Sequence, residues 1–142
     1  MNDAAIGALA IAATVRARRL RACDIVDSAL QRIATLDPVV NCFTDVLAAR
    51  ARAEAEQVDA TVAAGRDPGP LAGVPFAVKN LFDVAGIRTL AGSTIYREHP
   101  VARHDEADAE IRDRPFGPHR GSTHAIRGNE RELKIHVRPL FT

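Results

Sequence analysis

Between Gly65 and Pro75 the hydrophobic rhythm of the chain changes, and no all-helical or all-strand fold accommodates both sides of that break. Upstream, apolar residues return every three or four positions, the repeat that lines one face of a helix. Downstream, Val74, Phe76 and Val78 alternate with Pro75, Ala77 and Lys79, the repeat of a strand whose successive side chains point to opposite faces. The junction, Arg66-Asp67-Pro68-Gly69-Pro70, is made of residues that interrupt both patterns. Helices followed by a strand-rich segment predict an α/β architecture, of which this chain supplies the opening layer.

Three helices are expected before the break. In the first, Ile6, Leu9, Ala10, Ala13 and Ala17 share a face. The second starts near Asp24 and buries Ile25, Ala29, Ile33 and Leu36, with Val26 and Leu30 widening the stripe. Asp37-Pro38 is expected to end it, because proline disfavours helical geometry in the residue before it. The third runs from about Asp45 to Ala64 with Leu47, Ala51, Ala55, Val58 and Val62 facing inward. Arg50 and Glu54 stand four apart on its wet side, and Gly65 closes it by turning left-handed without steric cost. Alanine carries much of the 46% apolar content, alongside five Phe, one Tyr and no Trp, so the core is predicted to consist of small aliphatic side chains.

Charge and cysteine usage remove several function classes. A net charge of +1 provides no electrostatic footprint for nucleic acid or an anionic membrane. The apolar run from Ala4 to Val15 is shorter than the ~20 residues a membrane-spanning helix needs. Asp3 before it and Arg16, Arg18 and Arg19 after it reverse the charge order of a secretory signal, so a cytoplasmic protein is expected. Cys23 and Cys42 have neither disulfide-scaffold nor metal-ligand spacing and are expected as small buried apolar groups.

Beyond residue 98 the composition shifts: all five histidines lie there, with eight Lys/Arg and seven Asp/Glu. His99, His104, His119, His124 and His136 contain no pair spaced for one helix face, so no metal site is expected. Arg127, Arg131, Lys134 and Arg138 share a helical face, but Glu130 and Glu132 interrupt it and no aromatic accompanies it, which reads as a solvated face rather than an RNA surface. Gly121-Ser122-Thr123 lacks the lysine and spacing of a phosphate loop. This polar segment is a weak candidate for a core of its own, and an irregular tail is expected.

Lys79 is one of two lysines, the other being Lys134, and it follows three apolar residues at a strand end. An ammonium lodged among apolar groups loses hydration, which favours the neutral amine and equips it as a general base. The plainer reading is a lysine with its head in water.

The residues around it form a long ordered string. Leu71-Ala72-Gly73-Val74-Pro75-Phe76-Ala77-Val78-Lys79-Asn80-Leu81-Phe82-Asp83-Val84-Ala85-Gly86-Ile87-Arg88-Thr89, continuing to Leu90-Ala91-Gly92-Ser93, resembles the opening of the amidase signature family. Leu36-Asp37-Pro38, with Asn41 and Phe43 shortly after, is similar as well. The likeness covers residues 1–105 and is nearest to the branch of biuret and 1-carboxybiuret amidohydrolases, with glutamyl-tRNA amidotransferase catalytic subunits also similar.

That resemblance implies a mixed sheet wrapped by helices and hydrolysis of small linear amides or urea-like compounds, without metal or organic cofactor. It implies a Ser–Ser–Lys triad: the lysine takes a proton from a bridging serine on a cis peptide, which activates a nucleophilic serine. Lys79 matches the triad lysine. The three serines, Ser28, Ser93 and Ser122, match neither catalytic serine, so no nucleophile is assigned.

After Asp105 the likeness stops where the composition changes, which predicts a reading-frame change. The expectation is therefore an amino-terminal part of an amidase domain over residues 1–105 and a divergent, frameshifted or disordered tail over 106–142, inactive alone. The competing expectation is a non-catalytic helical module that binds a small companion subunit, as some family members do.

Overall fold

The computed structural model describes residues 7–105 and the backbone of residues 133–136. Three helices come first: α1 (Ala8–Arg16), α2 (Ala22–Val40) and α3 (Ala48–Ala63), with strand β1 (Phe43–Val46) between the last two. Strand β2 (Phe76–Lys79), a short 3-10 helix (Thr94–Glu98) and strand β3 (Leu133–His136) follow. The strands form one mixed sheet in the order β1-β3-β2, with β3 parallel to β1 and antiparallel to β2. Mixed helices and strands thus agree with the α/β expectation.

The core is built where α2 and α3 cross. Val26 and Leu30 of α2 meet Ala51, Ala55, Val58 and Val62 of α3, joined by Val15, Ala22 and Ala72. Alanines on one wall let the helix axes approach closely, so a core without large aromatics still packs densely. Polar side chains then close the helix ends. The Asp59 carboxylate of α3 accepts the Ala22 N–H at 2.7 Å and the Cys23 N–H at 3.3 Å, capping the first turn of α2 from another helix. Arg18 donates to the Val62 carbonyl at 2.7 Å, satisfying the last turn of α3.

The chain leaves α3 through Gly65 at φ 71°, as expected, and passes under the α1–α2 corner at Gly73. A Cβ there would lie 2.9 Å from the Ala22 Cβ and 3.1 Å from a Val15 methyl, so only glycine admits this approach.

Several expectations change. In α1 the buried residues are Ala12 and Val15, whereas Leu9, Ala10 and Ala13 are exposed. Nearly every residue of this helix is apolar, so periodicity could not select the face; Ile6 lies outside the described residues. In α2 the fully buried stripe is Ala22, Val26 and Leu30, with Ile25, Ala29 and Ile33 half-buried and Leu36 exposed.

Pro38 does not end α2. Asp37 stays helical and accepts the Asn41 N–H on its carbonyl, and the helix stops at Asn41 in the left-handed conformation, φ 56°. Proline's missing N–H leaves only the Ala34 carbonyl, at an exposed residue where water can serve it. Asp45, expected to open the third helix, belongs instead to β1.

The expected irregular tail is also corrected in part. Leu133-Lys134-Ile135-His136 alternates apolar with polar and forms the central strand, which places Lys134 on a strand rather than a helical face. Arg127, Arg131 and Arg138 lie outside the described residues, as do residues 106–132 generally.

Candidate functional site

The alternation read from sequence survives in β2: Val78 is buried and Phe76 half-buried, while Ala77 and Lys79 are exposed. Lys79 is the last residue of the strand, in register with Leu133 of β3. Its carbonyl accepts the Phe82 N–H at 3.1 Å, which begins the turn that carries the chain away from the sheet.

Asn80 points the other way and is 2% exposed. Its Nδ2 donates to the Thr44 hydroxyl at 3.0 Å and its Oδ1 accepts the Leu90 N–H at 3.1 Å. Its carbonyl also accepts the Ala91 N–H at 3.0 Å. Asn80 therefore fastens the lysine-bearing strand end both to β1 and to the Leu90–Ser93 turn. That turn carries Ala91 at φ 43° and Gly92 at φ 69°.

The segment after Asn80 folds back by polar contacts. Thr89 donates its hydroxyl to Asp83, and Arg88 donates to the His99 carbonyl at 2.6 Å. Gly86 N–H and Ala102 N–H bond the carbonyls of Ala102 and Ile87, so the strings around residues 86 and 102 run side by side.

Arg50 clamps this return to α3. Its Nε donates to Glu54 at 2.9 Å, and its Nη1 and Nη2 donate to the two Asp105 oxygens at 3.3 and 2.6 Å. Asp105 also accepts the Ala85 N–H at 2.7 Å. The Arg50–Glu54 pair was expected on the wet side; instead the two side chains are only 28% and 12% exposed, because the 85–105 return covers them. Burial disfavours the Arg50 charge, but its hydrogen bonds to Asp105 and Glu54 outweigh that and hold its pKa above the ordinary arginine value.

The serines take other places. Ser28 lies on the exposed side of α2, and the Ser93 hydroxyl caps the 3-10 helix by accepting the Ile95 N–H at 3.3 Å. Ser122 lies outside the described residues. His99 packs edge-on against Tyr96, ring centres 5.0 Å apart. His119 and His124 lie outside the described residues, as does the His136 side chain; among the described residues no three His, Cys, Asp or Glu side chains come together as a metal-ligand set.

Both cysteines are half-buried and free, not the plain apolar groups expected. Desolvation, reinforced by a hydrogen bond to Asp59, pushes the Cys23 thiol up to about 11. Desolvation and Asp37 also push Cys42 up, its Sγ lying 3.4 Å from the Asp37 carboxylate. High thiol pKa values remove nucleophilic thiolate at neutral pH. A groove of about 520 Å³ between the α1–α2 corner and α3 is lined by Arg18, Leu20, Arg21 and Asp59, and contains none of the Lys79 segment. No helix among the described residues is long and apolar enough to cross a membrane.

Sequence reasoning did not anticipate Asn80, Thr44 or Asp105. The single available signal was Asn80 itself, a polar residue where the strand alternation demands a buried side chain.

The sequence pattern of the amidase family matches residues 24–114. AtzE, a 1-carboxybiuret hydrolase component of Pseudomonas sp. (strain ADP), is 49% identical over 87 residues, covering 61% of this chain and 19% of the relative. A glutamyl-tRNA(Gln) amidotransferase chain of Prochlorococcus marinus (strain MIT 9303) is 47% identical over 70 residues, 49% of this chain and 14% of the relative. A solved chain described within a vestigial protein complex bearing on the origins of an s-triazine catabolic enzyme superposes with a TM-score of 0.70 at 43% identity, over 72% of this chain and 22% of that one. The chain thus spans between 14% and 22% of the length of these relatives.

Proposed function

The chain belongs to the amidase family, and from that membership we propose that it is the lysine-bearing amino-terminal portion of a hydrolase that cleaves C–N bonds in small linear amides or urea-like compounds. Lys79 is the proposed base. The observation that carries this reading is the ordered string from Leu71 to Ser93, inside the family match, which presents Lys79 at the end of β2.

In the proposed chemistry the amine of Lys79 takes a proton from a bridging serine hydroxyl. That hydroxyl takes one from a second serine, whose oxygen attacks the amide carbonyl. The proton returns along the same path to the leaving nitrogen, and water releases the acyl group in a second passage. Backbone N–H donors would hold the oxyanion. No metal or organic cofactor enters these steps. Ser28, Ser93 and Ser122 fill neither serine role in this reading, so the chain alone is proposed to be inactive.

The test is a graft. Residues 24–105 replace the matching segment of the 1-carboxybiuret hydrolase relative, and turnover of that enzyme's substrate is measured with and without Lys79→Ala. Retained turnover that falls by orders of magnitude in the variant supports the reading; an active Lys79→Ala graft refutes it. The unaltered chain should release no ammonia from biuret or simple amides.

We further propose that the chain departs from the family through a reading-frame change beyond the matched residues 24–114, so other frames of the gene should encode an amidase-like continuation. A purely non-catalytic module that holds a companion protein draws support from exposed Leu9, Val39 and Val40. It leaves the ordered Lys79 string without a role.

A further inference from the structure

β1 and β2 flank β3 and do not touch as a ladder, yet Asn80 joins them where β3 begins. The bond depends on an irregularity. Phe43 pairs with Leu133 and Asp45 with Lys134, so Thr44 is an extra residue left out of the register. An extra residue of this kind bends a strand and re-aims its side chain. Here the hydroxyl of Thr44 meets the Asn80 amide.

The amide orientation is settled by its surroundings. The Leu90 N–H can only donate, so Oδ1 must face it and Nδ2 must face Thr44. With these two bonds and the Ala91 N–H on its carbonyl, Asn80 is tied in three directions. Among the described residues it is the one polar side chain in the fully buried class. A buried amide that loses a partner is costly, so the arrangement is restrictive. The residue held this tightly directly follows Lys79.

We propose that Asn80, acting through Thr44, is the positioning residue that fixes the direction in which the Lys79 side chain leaves β2. The inference rests on reading Lys79 as the base and assigns it the support that a proton-accepting amine requires, since displacement by one ångström at such a group costs on the order of a hundredfold in rate. Asn80 touches no reacting atom in this proposal.

Two lysines in the sequence make the test direct. In a Lys134→Arg background, Lys79 is the only lysine, and 13Cε-lysine labelling yields one signal in the full chain. Thr44→Val removes the acceptor while keeping side-chain shape; Asn80→Ala removes both bonds; Thr44→Ser keeps the hydroxyl. The expected result is a shifted and broadened Lys79 signal, with faster amine acylation, in Thr44→Val and Asn80→Ala, and return to the starting spectrum in Thr44→Ser. Thermal melts establish that each chain is folded, and Thr44→Val serves if Asn80→Ala does not fold. An unmoved Lys79 signal in folded Thr44→Val, or failure of Thr44→Ser to restore it, overturns the proposal. The readout needs no turnover, so it fails or succeeds separately from the graft experiment that tests Lys79 as the base.

Discussion

Replacing Arg50 with methionine keeps the aliphatic stem and deletes the guanidinium, which isolates the clamp between α3 and the 85–105 return. Three donors vanish from two carboxylates, Glu54 and Asp105, whose side chains are only 12% and 13% exposed. Asp105 keeps the Ala85 N–H, so the loss is partial: a wholly unserved buried acceptor would cost about 1–3 kcal/mol and a broken, fully buried pair about 3–5. Arg50 is itself 28% exposed, so water recovers part of the loss, and about 2–3 kcal/mol is the expected destabilisation. That corresponds to a melting temperature lower by about 10 °C for a domain near 100 ordered residues. Urea titration followed by far-UV circular dichroism measures it. Arg50→Lys should recover less than half, because a lysine cannot fork onto Asp105 while also reaching Glu54. The Arg50→Met and Asp105→Asn pair should show a coupling of about 1–2 kcal/mol in a double-mutant cycle. Additive effects, or an Arg50→Met chain as stable as the parent, would show that the clamp contributes nothing and that the return is held otherwise.

Gly73→Ala should destabilise by about 2–3 kcal/mol, combining a left-handed backbone with overpacking against Ala22 and Val15, whereas Gly86→Ala, with equally positive φ but open space, should cost about 1 kcal/mol; equal melts would remove the steric account. Because the Cys23 thiol sits near 11 in the folded chain against 9.0 ordinarily, stability should be fully present below pH 9 and decline toward pH 11, a slope that Cys23→Ser abolishes. At pH 8 the same shift should slow Cys23 alkylation on the order of a hundredfold relative to a free thiol, read by mass spectrometry, with Asp59→Asn speeding it. Leu9→Ser with Val39→Ser, at positions 74% and 87% exposed, should leave the melt within about 0.5 kcal/mol while reducing any self-association seen by size-exclusion chromatography.

The parts of this fold that were legible in sequence are those decided within a few residues. Ala51, Ala55, Val58 and Val62 announce the buried side of α3, and the alternation through Phe76 and Val78 announces β2 with Lys79 on its open face. The parts that were not legible are decided at a distance. Asp59 caps a helix that starts 37 residues earlier, and Asp105 meets Arg50 across 55 residues. β1 is four residues long and abuts α3, so the helical repeat absorbed it, while its ladder partner lies at Leu133–Ile135. Within α1 the apolar residues on every side left the choice of face to tertiary packing at Gly73. The candidate site divides in the same way: Lys79 stands out by composition and order, whereas Asn80 becomes informative only once Thr44 and Leu90 are brought to it.

The two halves of the described structure are therefore held by different forces. The helices cohere through area: small side chains close-packed between α2 and α3, where any methyl removed opens space. The return from Asn80 to Asp105 coheres through direction: Asn80 to Thr44 and Leu90, Thr89 to Asp83, Arg88 to His99 and Asp105 to Arg50 and Ala85, with Val84 its one fully buried apolar side chain. Apolar packing tolerates a sliding neighbour, but a hydrogen bond weakens steeply with angle. Lys79 sits at the seam between the two regimes. Core substitutions such as Val58→Ala should then lower global stability by about 1–2 kcal/mol yet leave the Lys79 environment unchanged while the chain is folded. Changes at Asn80 or Thr44 should also cost stability but, unlike Val58→Ala, should alter the Lys79 environment in chains that remain folded, because the geometry at that strand end is set by three oriented bonds and not by the bulk of the core.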